Sequence, residues 1–374
     1  MAFCSLTFVL SPAFGGHPLE GRSRLFSETS LTDKSCDVVC IKEAPHTWSA
    51  SVLKGRPRGY ILSSTRCSKR LGQVRTVASQ HLIRSRSHSS KYLYEGYLIM
   101  SLGAFGVEVG SYEIVGSYPH DPTAFTQGLV YAEEPIHIPS DIECNLLRTS
   151  REVFYESTGL VRKSSLRCAH KETGRILQRV SVPTPHFGEG LAFVPHPQPL
   201  FFQLTWSTRT AFAYDGRSLK LLRQMEFDGE GWGATYDPLR NCIYTSDGTD
   251  RIRILDAQTF QVLNVVQVRV RGHQKWENNR HLWYLNDMEM VPDSDELWCN
   301  IFLSDYIAVV DVTTWTLKRW IDLDGLLQPE HQLVGHEVDV LNGLAWDARR
   351  QCMYVTGKRW PRVYAIRERR SRAT

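Results

Sequence analysis

The chain has 374 residues, of which 42% are hydrophobic and 22% charged, the balance of a soluble globular protein long enough to bury a sizeable core. The net charge of +4 hides an asymmetry: residues 1–110 carry 14 Lys/Arg against 7 Asp/Glu, and residues 111–374 carry 30 against 33. The C-terminal part is therefore slightly acidic, which argues against a nucleic-acid binder, since such domains need a basic face for phosphate.

Residues 1–110 read as a basic, Ser/Arg-rich extension with no packed core, expected to be disordered. Residues 44–94 contain no acidic residue but ten Lys/Arg and ten Ser, the composition of an organelle-targeting presequence. Such segments usually start at the N-terminus, whereas this one begins about 40 residues in, and the apolar run 3–14 has no basic residues ahead of it. A secretory route, an organelle and an extension without an address all stay open. Residues 97–109 are apolar but too short, and too interrupted by Glu108, to span a bilayer.

From Ser111 the texture changes to short β-rich runs with turn punctuation. Five stretches share one pattern: Gln127-Gly128-Leu129-Val130-Tyr131, Glu189-Gly190-Leu191-Ala192-Phe193, Trp232-Gly233-Ala234-Thr235-Tyr236, Asn286-Asp287-Met288-Glu289-Met290 and Asn342-Gly343-Leu344-Ala345-Trp346. Their spacings of 62, 43, 54 and 56 residues suit a repeated all-β unit rather than a helical repeat. A second element follows each: Glu156-Ser157-Thr158, Thr205-Trp206, Ser246-Asp247, Cys299-Asn300 and Thr356-Gly357-Lys358. Turn signals such as Asp215-Gly216, Asp256-Ala257-Gln258-Thr259 and Asp311-Val312-Thr313-Thr314 join the outer strands of each unit. Residues 111–374 are thus expected to form an all-β, five-bladed β-propeller. The residue at the head of each motif would face the central channel, and the following glycine would let neighbouring backbones approach closely. Gln127, Glu189, Trp232, Asn286 and Asn342 would then converge on one opening.

Nine cysteines are scattered without any CxxC pair, so no zinc site is expected. Cys242, Cys299 and Cys352 lie in strand-like runs and read as buried small apolar residues. One complete propeller gives no reason for a partner, and a monomer is expected.

The segment Tyr118-Pro119-His120-Asp121-Pro122-Thr123-Ala124-Phe125-Thr126-Gln127-Gly128 resembles the opening motif of the plant and bacterial type of glutaminyl-peptide cyclotransferases. So, in order, do Glu156-Ser157-Thr158-Gly159, Phe187-Gly188-Glu189-Gly190-Leu191, Gln203-Leu204-Thr205-Trp206, Gly231-Trp232-Gly233 and Ser246-Asp247-Gly248-Thr249. Leu285-Asn286-Asp287-Met288-Glu289, Asp339-Val340-Leu341-Asn342-Gly343 and Thr356-Gly357-Lys358-Arg359-Trp360-Pro361 complete the series, collinear over residues 112–366. The resemblance implies a five-bladed propeller that turns an N-terminal glutamine of peptides or proteins into pyroglutamate with loss of ammonia. It implies no metal and no cofactor, with Glu189 as the acid/base.

The chemistry of that reaction fits these residues. The α-amine attacks the γ-carboxamide of its own residue, so ring closure supplies proximity and needs no enzyme nucleophile. One proton must leave the amine and one must reach the departing ammonia, work for a single carboxyl with a raised pKa. Phe125, Phe187, Trp206 and Trp232 would form an apolar surround that raises it. Asn286, Asn342, Trp232 and Lys358 are candidate donors to the tetrahedral oxyanion, and Gln127 is placed to hold the substrate amide. Where the family commonly has a tryptophan just after Asn300, this chain has Ile301-Phe302, which keeps the wall and loses an indole donor. Insertions at 133–147 and 272–280 read as surface loops.

Structural readings compete at several positions. Gln127, Asn286 and Asn342 also suit turn or cap roles, and Trp346 and Trp360 suit packing between blades. Lys358 is assigned to the channel over a solvated position, whereas Asp247 reads as a turn residue and His120 as a loop hydrogen-bonder. Two other functions remain as rivals. A metal-dependent propeller lactonase would use Glu189, Asn286 and Asn342 around a divalent ion, although Trp232 stands where a further ligand is wanted. A binding scaffold would have no use for a carboxylate, a lysine and tryptophans gathered at the axis.

Overall fold

β-Branched and aromatic runs separated by turn residues become strands, because such side chains pack well on a pleated, half-buried surface. The structure, a computed structural model, describes residues 5–9, 25–28, 36–44, 47–55, 107–134, 150–270, 280–331 and 335–369. The expected disorder of residues 1–110 and the two expected surface insertions fall largely outside that set. Met1–Gly72 form one unit, whose strands β1 (Ser5–Val9), β2 (Leu25–Glu28), β3 (Cys36–Ala44) and β4 (Thr47–Gly55) pair antiparallel in the order β1-β4-β3-β2. Gln73–Thr374 form the second unit.

Three antiparallel sheets follow chain order. The first holds β6 (Thr126–Ala132), β7 (Val153–Thr158), β8 (Ser165–His170) and β9 (Ile176–Ser181). The second holds β10 (Gly188–Val194), β11 (Leu200–Thr205), β12 (Thr210–Asp215) and β13 (Leu221–Glu226). The third holds β14 (Ala234–Asp237), β15 (Cys242–Ser246), β16 (Arg251–Asp256) and β17 (Val262–Gln267). Two short strands, β18 (Arg269–Val270) and β19 (Arg280–His281), precede β20 (Leu285–Val291), β21 (Glu296–Ile301), β22 (Tyr306–Asp311) and β23 (Thr316–Asp322). The last group is β24 (Leu341–Asp347), β25 (Cys352–Gly357) and β26 (Arg362–Arg369), and β5 (Glu108–Pro119) joins both groups into one sheet ordered β20-β21-β22-β23-β5-β26-β25-β24. The start of β5 pairs parallel with β23, and the rest pairs antiparallel with β26. An early strand thus completes the sheet that ends the chain.

The inner strands touch in a closed order: β6 with β10, β10 with β14, β14 with β20, β20 with β24, and β24 with β6. They are buried almost throughout, while the outer strands β13 and β17 are mostly exposed. Apolar clusters fill the space between successive sheets, for example Ala192, Phe202 and Ala213 against Ala234, Ile243 and Leu255. Each of the Phe, Ile and Leu side chains among them contributes roughly 1.5–3 kcal/mol on burial. Cys168, Cys242, Cys299 and Cys352 are buried free thiols within this packing. The outer turns behave as read: Asp215, Asp256 and Asp311 each accept a backbone N–H three residues on, at 2.7, 2.7 and 3.0 Å. Among the described residues no helix is long and apolar enough to cross a membrane.

Two glycines show why the motif needs them. A Cβ on Gly190 would lie 2.5 Å from the Ala234 nitrogen, and one on Gly233 would lie 2.0 Å from the Asn286 carbonyl oxygen. Gly190 N–H instead donates across to Trp232 O at 2.7 Å.

Candidate active site

Four of the five head residues sit at interruptions of strand register. The pairing slips between Thr126 and Gly128, Gly188 and Leu191, Leu285 and Met288, and Leu341 and Leu344. Such a β-bulge re-aims a side chain and frees it from the ladder. Gln127, Glu189, Asn286 and Asn342 lie inside these gaps, and Trp232 stands two residues before β14.

Three of them make a continuous relay. Gln127 Nε2 donates to Glu189 Oε1 at 3.0 Å, and Asn342 Nδ2 donates to Gln127 Oε1 at 3.0 Å. Gln127, Asn286 and Asn342 are 2%, 2% and 0% exposed, and Glu189 is 6% exposed. Burial pushes the Glu189 carboxyl well above the usual carboxylate range; Asp287 and Glu230 push the same way, and Lys358 opposes them. Burial likewise holds the Lys358 ammonium below its ordinary value, against the pull of Glu189. Asn286 Oδ1, Asp287 Oδ1, Asn300 Nδ2 and Asn342 Oδ1 are buried without a hydrogen-bond partner among the described residues. A cluster of such atoms is polar capacity that a bound polar group would satisfy.

Around this centre the side chains close into a ring. Phe125 meets Phe187 edge-on at 6.2 Å, and Phe187 meets Trp206 at 6.0 Å. The indoles of Trp206 and Trp232 share Glu230, and Trp232 meets Phe302 edge-on at 5.3 Å. Lys358 Nζ completes the circuit, 5.3 Å from the Phe302 centroid and 5.1 Å from that of Phe125, within cation–π range. The ring gathers Phe125, Phe187, Trp206, Trp232 and Lys358, with Phe302 filling the wall, and the relay gathers Gln127, Glu189 and Asn342; Asn286 sits buried at the equivalent bulge of β20.

The segment bearing Phe125 and Gln127 is anchored by a buried charge cluster. Arg167 donates from Nε and Nη2 to Glu156 Oε2 at 2.8 and 2.6 Å, and from Nη1 to Asp121 at 2.7 Å. Thr126 Oγ1 donates to Glu156 Oε1 at 2.6 Å, and His120 lies 3.1 Å from the same oxygen. His120 also bonds the Trp360 carbonyl at 2.6 Å, a loop hydrogen-bonder as read. Asp247 accepts from Thr249 N at 3.1 Å and pairs with Arg253 at 2.7 Å, a turn residue as read. Trp360 is buried, its Nε1 donating to Asp339 O at 2.9 Å.

The sequence model of the glutamine cyclotransferase family matches residues 144–367. A glutaminyl-peptide cyclotransferase of Arabidopsis thaliana is 34% identical over 270 residues, which cover 71% of this chain and 73% of that protein. The chain belongs to the glutamine cyclotransferase family. A solved relative, the glutaminyl cyclase of Myxococcus xanthus, is 27% identical with a TM-score of 0.56, the match covering 70% of this chain and 98% of that one.

Three residues of this family member's site escaped the sequence reading. Glu230 precedes Trp232 by two positions, and nothing local announces that it also reaches Trp206. Asp287 was visible as the break in a column of glycines: Gly128, Gly190, Gly233 and Gly343 occupy the matching positions. Its carboxylate accepts Leu344 N–H at 2.9 Å, and burial drives its pKa well above the ordinary value. Asn300 was seen as part of a repeated element, and its Oδ1 accepts Gly343 N–H at 3.2 Å.

Proposed function

We propose that the chain is a glutaminyl-peptide cyclotransferase, a five-bladed propeller whose channel site converts N-terminal glutamine of peptides or proteins to pyroglutamate and ammonia. The closed contact order of the inner strands supports five blades. The observation that carries the activity is Glu189: a buried carboxyl with a raised pKa, relayed to Gln127 and Asn342 inside an aromatic ring. In this scheme the Glu189 carboxylate takes a proton from the attacking α-amine as the new C–N bond forms. It then returns that proton to the amide nitrogen, the old C–N bond breaks and ammonia leaves, so protons and charge balance. Trp232 Nε1 is engaged by Glu230, so Lys358 and Asn286 take the oxyanion role. The apolar walls exclude water, and burial among them raises the carboxyl pKa. No step calls on a metal.

The test is ammonia release from a glutamine-initiated dipeptide by the full chain, with and without a chelator, beside Glu189→Gln. We expect release that chelation leaves unchanged and that the variant lowers by roughly 10²- to 10⁴-fold in kcat. A folded protein that releases no ammonia sinks the reading, and chelator-sensitive turnover of lactones would put the lactonase in its place.

A further inference from the structure

The ring around Glu189 has one anionic link. Glu230 lies between β13 and β14, and its Oε2 alone accepts the indole N–H of Trp206 at 3.0 Å and that of Trp232 at 3.0 Å. The two indoles belong to different sheets, Trp206 following β11 and Trp232 preceding β14. The backbone beside Glu230 is fixed to the same wall. Gly231 N–H donates to the carbonyls of Thr205 and Trp206 at 3.1 and 3.2 Å, and a Cβ on Gly231 would stand 2.6 Å from Leu204 Cβ. Trp232 is held further by Gly248, whose Cβ would come 2.6 Å from the indole, and by Phe302. Trp206 is 45% exposed; among the described residues Glu230 is its indole's hydrogen-bond partner. An exposed side chain on a loop samples several rotamers, and a charge-assisted bond to a fixed acceptor selects one.

We propose that Glu230 is a positioning residue of the cyclase site, clamping Trp206 and Trp232 into the wall against which the glutaminyl residue lies. The inference rests on the cyclase reading. Glu230 does not touch the reacting atoms; it acts through the indoles, so its loss falls on substrate binding more than on the chemical step. Its charge also reaches Glu189, where it adds to the upward push on that carboxyl.

The experiment combines kinetics on a glutamine-initiated dipeptide with ¹⁹F NMR of the full chain labelled with 5-fluorotryptophan, the two resonances assigned through Trp206→Phe and Trp232→Phe. Glu230→Ala is expected to shift both resonances and to raise KM by roughly 10- to 100-fold, the worth of charge-assisted bonds lost, with a smaller change in kcat. Glu230→Gln keeps an oxygen that accepts both N–H groups, and it should restore both resonances and most of the KM loss. An Ala variant with unmoved resonances and unchanged KM overturns the clamp, as does a Gln variant as impaired as Ala. Wild-type protein that releases no ammonia overturns the cyclase reading itself, and with it the role in that reaction, whatever the spectra show.

Discussion

Thr126 and Gln127 are neighbours on β6, and each donates a hydrogen bond to a different buried glutamate. Thr126 reaches Glu156, which is 1% exposed, and Gln127 reaches Glu189, which is 6% exposed. Desolvation acts upward on both carboxyls, yet Glu156 is held far below the usual range while Glu189 is driven well above it. The difference lies in the donors. Glu156 receives both arms of the Arg167 guanidinium, a hydroxyl and His120, whereas Glu189 receives a neutral amide, feels Lys358 only through space, and has Asp287 and Glu230 pushing the other way. Burial supplies the cost of ionisation in both places, and paired cations decide whether that cost is met. One carboxylate becomes a fastener, and the other is left free for the proton-carrying role proposed for it.

The same substitution at both sites should split along that line, and this is the largest effect expected. Glu156→Gln leaves the Arg167 guanidinium buried without its full counter-charge, a loss of about 3–5 kcal/mol read as a lowered Tm at neutral pH. Because the folded pKa of Glu156 is depressed, its contribution is present above the ordinary carboxylate range and lost as pH falls toward the folded value. The variant should therefore approach wild type in acid. Glu189→Gln removes a carboxyl the fold does not pair, so its Tm should hold or rise while turnover disappears. A Glu189 variant that unfolds, or a Glu156 variant that keeps its Tm at neutral pH, would break the comparison.

The architecture was legible because each unit repeats a head residue, a small residue and an apolar strand, and because Asp-led turns mark the outer hairpins. The convergence of Gln127, Glu189, Asn286 and Asn342 was legible too, but its cause was not. A bulge changes which way a side chain points without altering residue type, so alternation alone does not reveal it. The bond of Arg167 to Glu156 depends on the register of β7 against β8, where the two residues face each other. Glu230 depends on two loops meeting. The double pairing of β5 is likewise a matter of closure, since the strand that completes the last sheet precedes the first one in the chain.

A smaller effect tests the charge across the site. Lys358 is the cation that pulls the Glu189 carboxyl down against burial, and Met would fill its space between Phe125 and Phe302. In the proposed scheme Glu189 acts on the amine as a carboxylate, so activity should fall as pH drops through its pKa. Lys358→Met should raise that pKa further and move the acidic limb of the kcat profile to higher pH. The variant's limb is compared with that of wild type on the same dipeptide, so the substrate's own amine cancels. A limb that stays in place, or moves to lower pH, would mean that Lys358 serves the oxyanion or the wall and leaves Glu189 untouched.

The smallest effect sharpens the comparison with a third carboxyl. Glu289 accepts Trp346 N–H and the Thr235 hydroxyl, each at 2.9 Å, and burial raises its pKa from 4.5 to about 7. It thus stands between Glu156 and Glu189: well provided with neutral donors, without a cation. A folded pKa above the unfolded one means the folded state binds more protons between pH 4.5 and 7, so this group's contribution is full below that window and lost as pH rises through it. Glu289→Gln stays uncharged throughout. The difference in Tm between variant and wild type should therefore become more favourable to the variant from pH 5 to pH 8, by a few °C at most, on the order expected for a domain of this size. A difference that does not change with pH would show that two neutral donors suffice to carry a buried carboxylate, and that the cation beside Glu156 is not what separates it from Glu189.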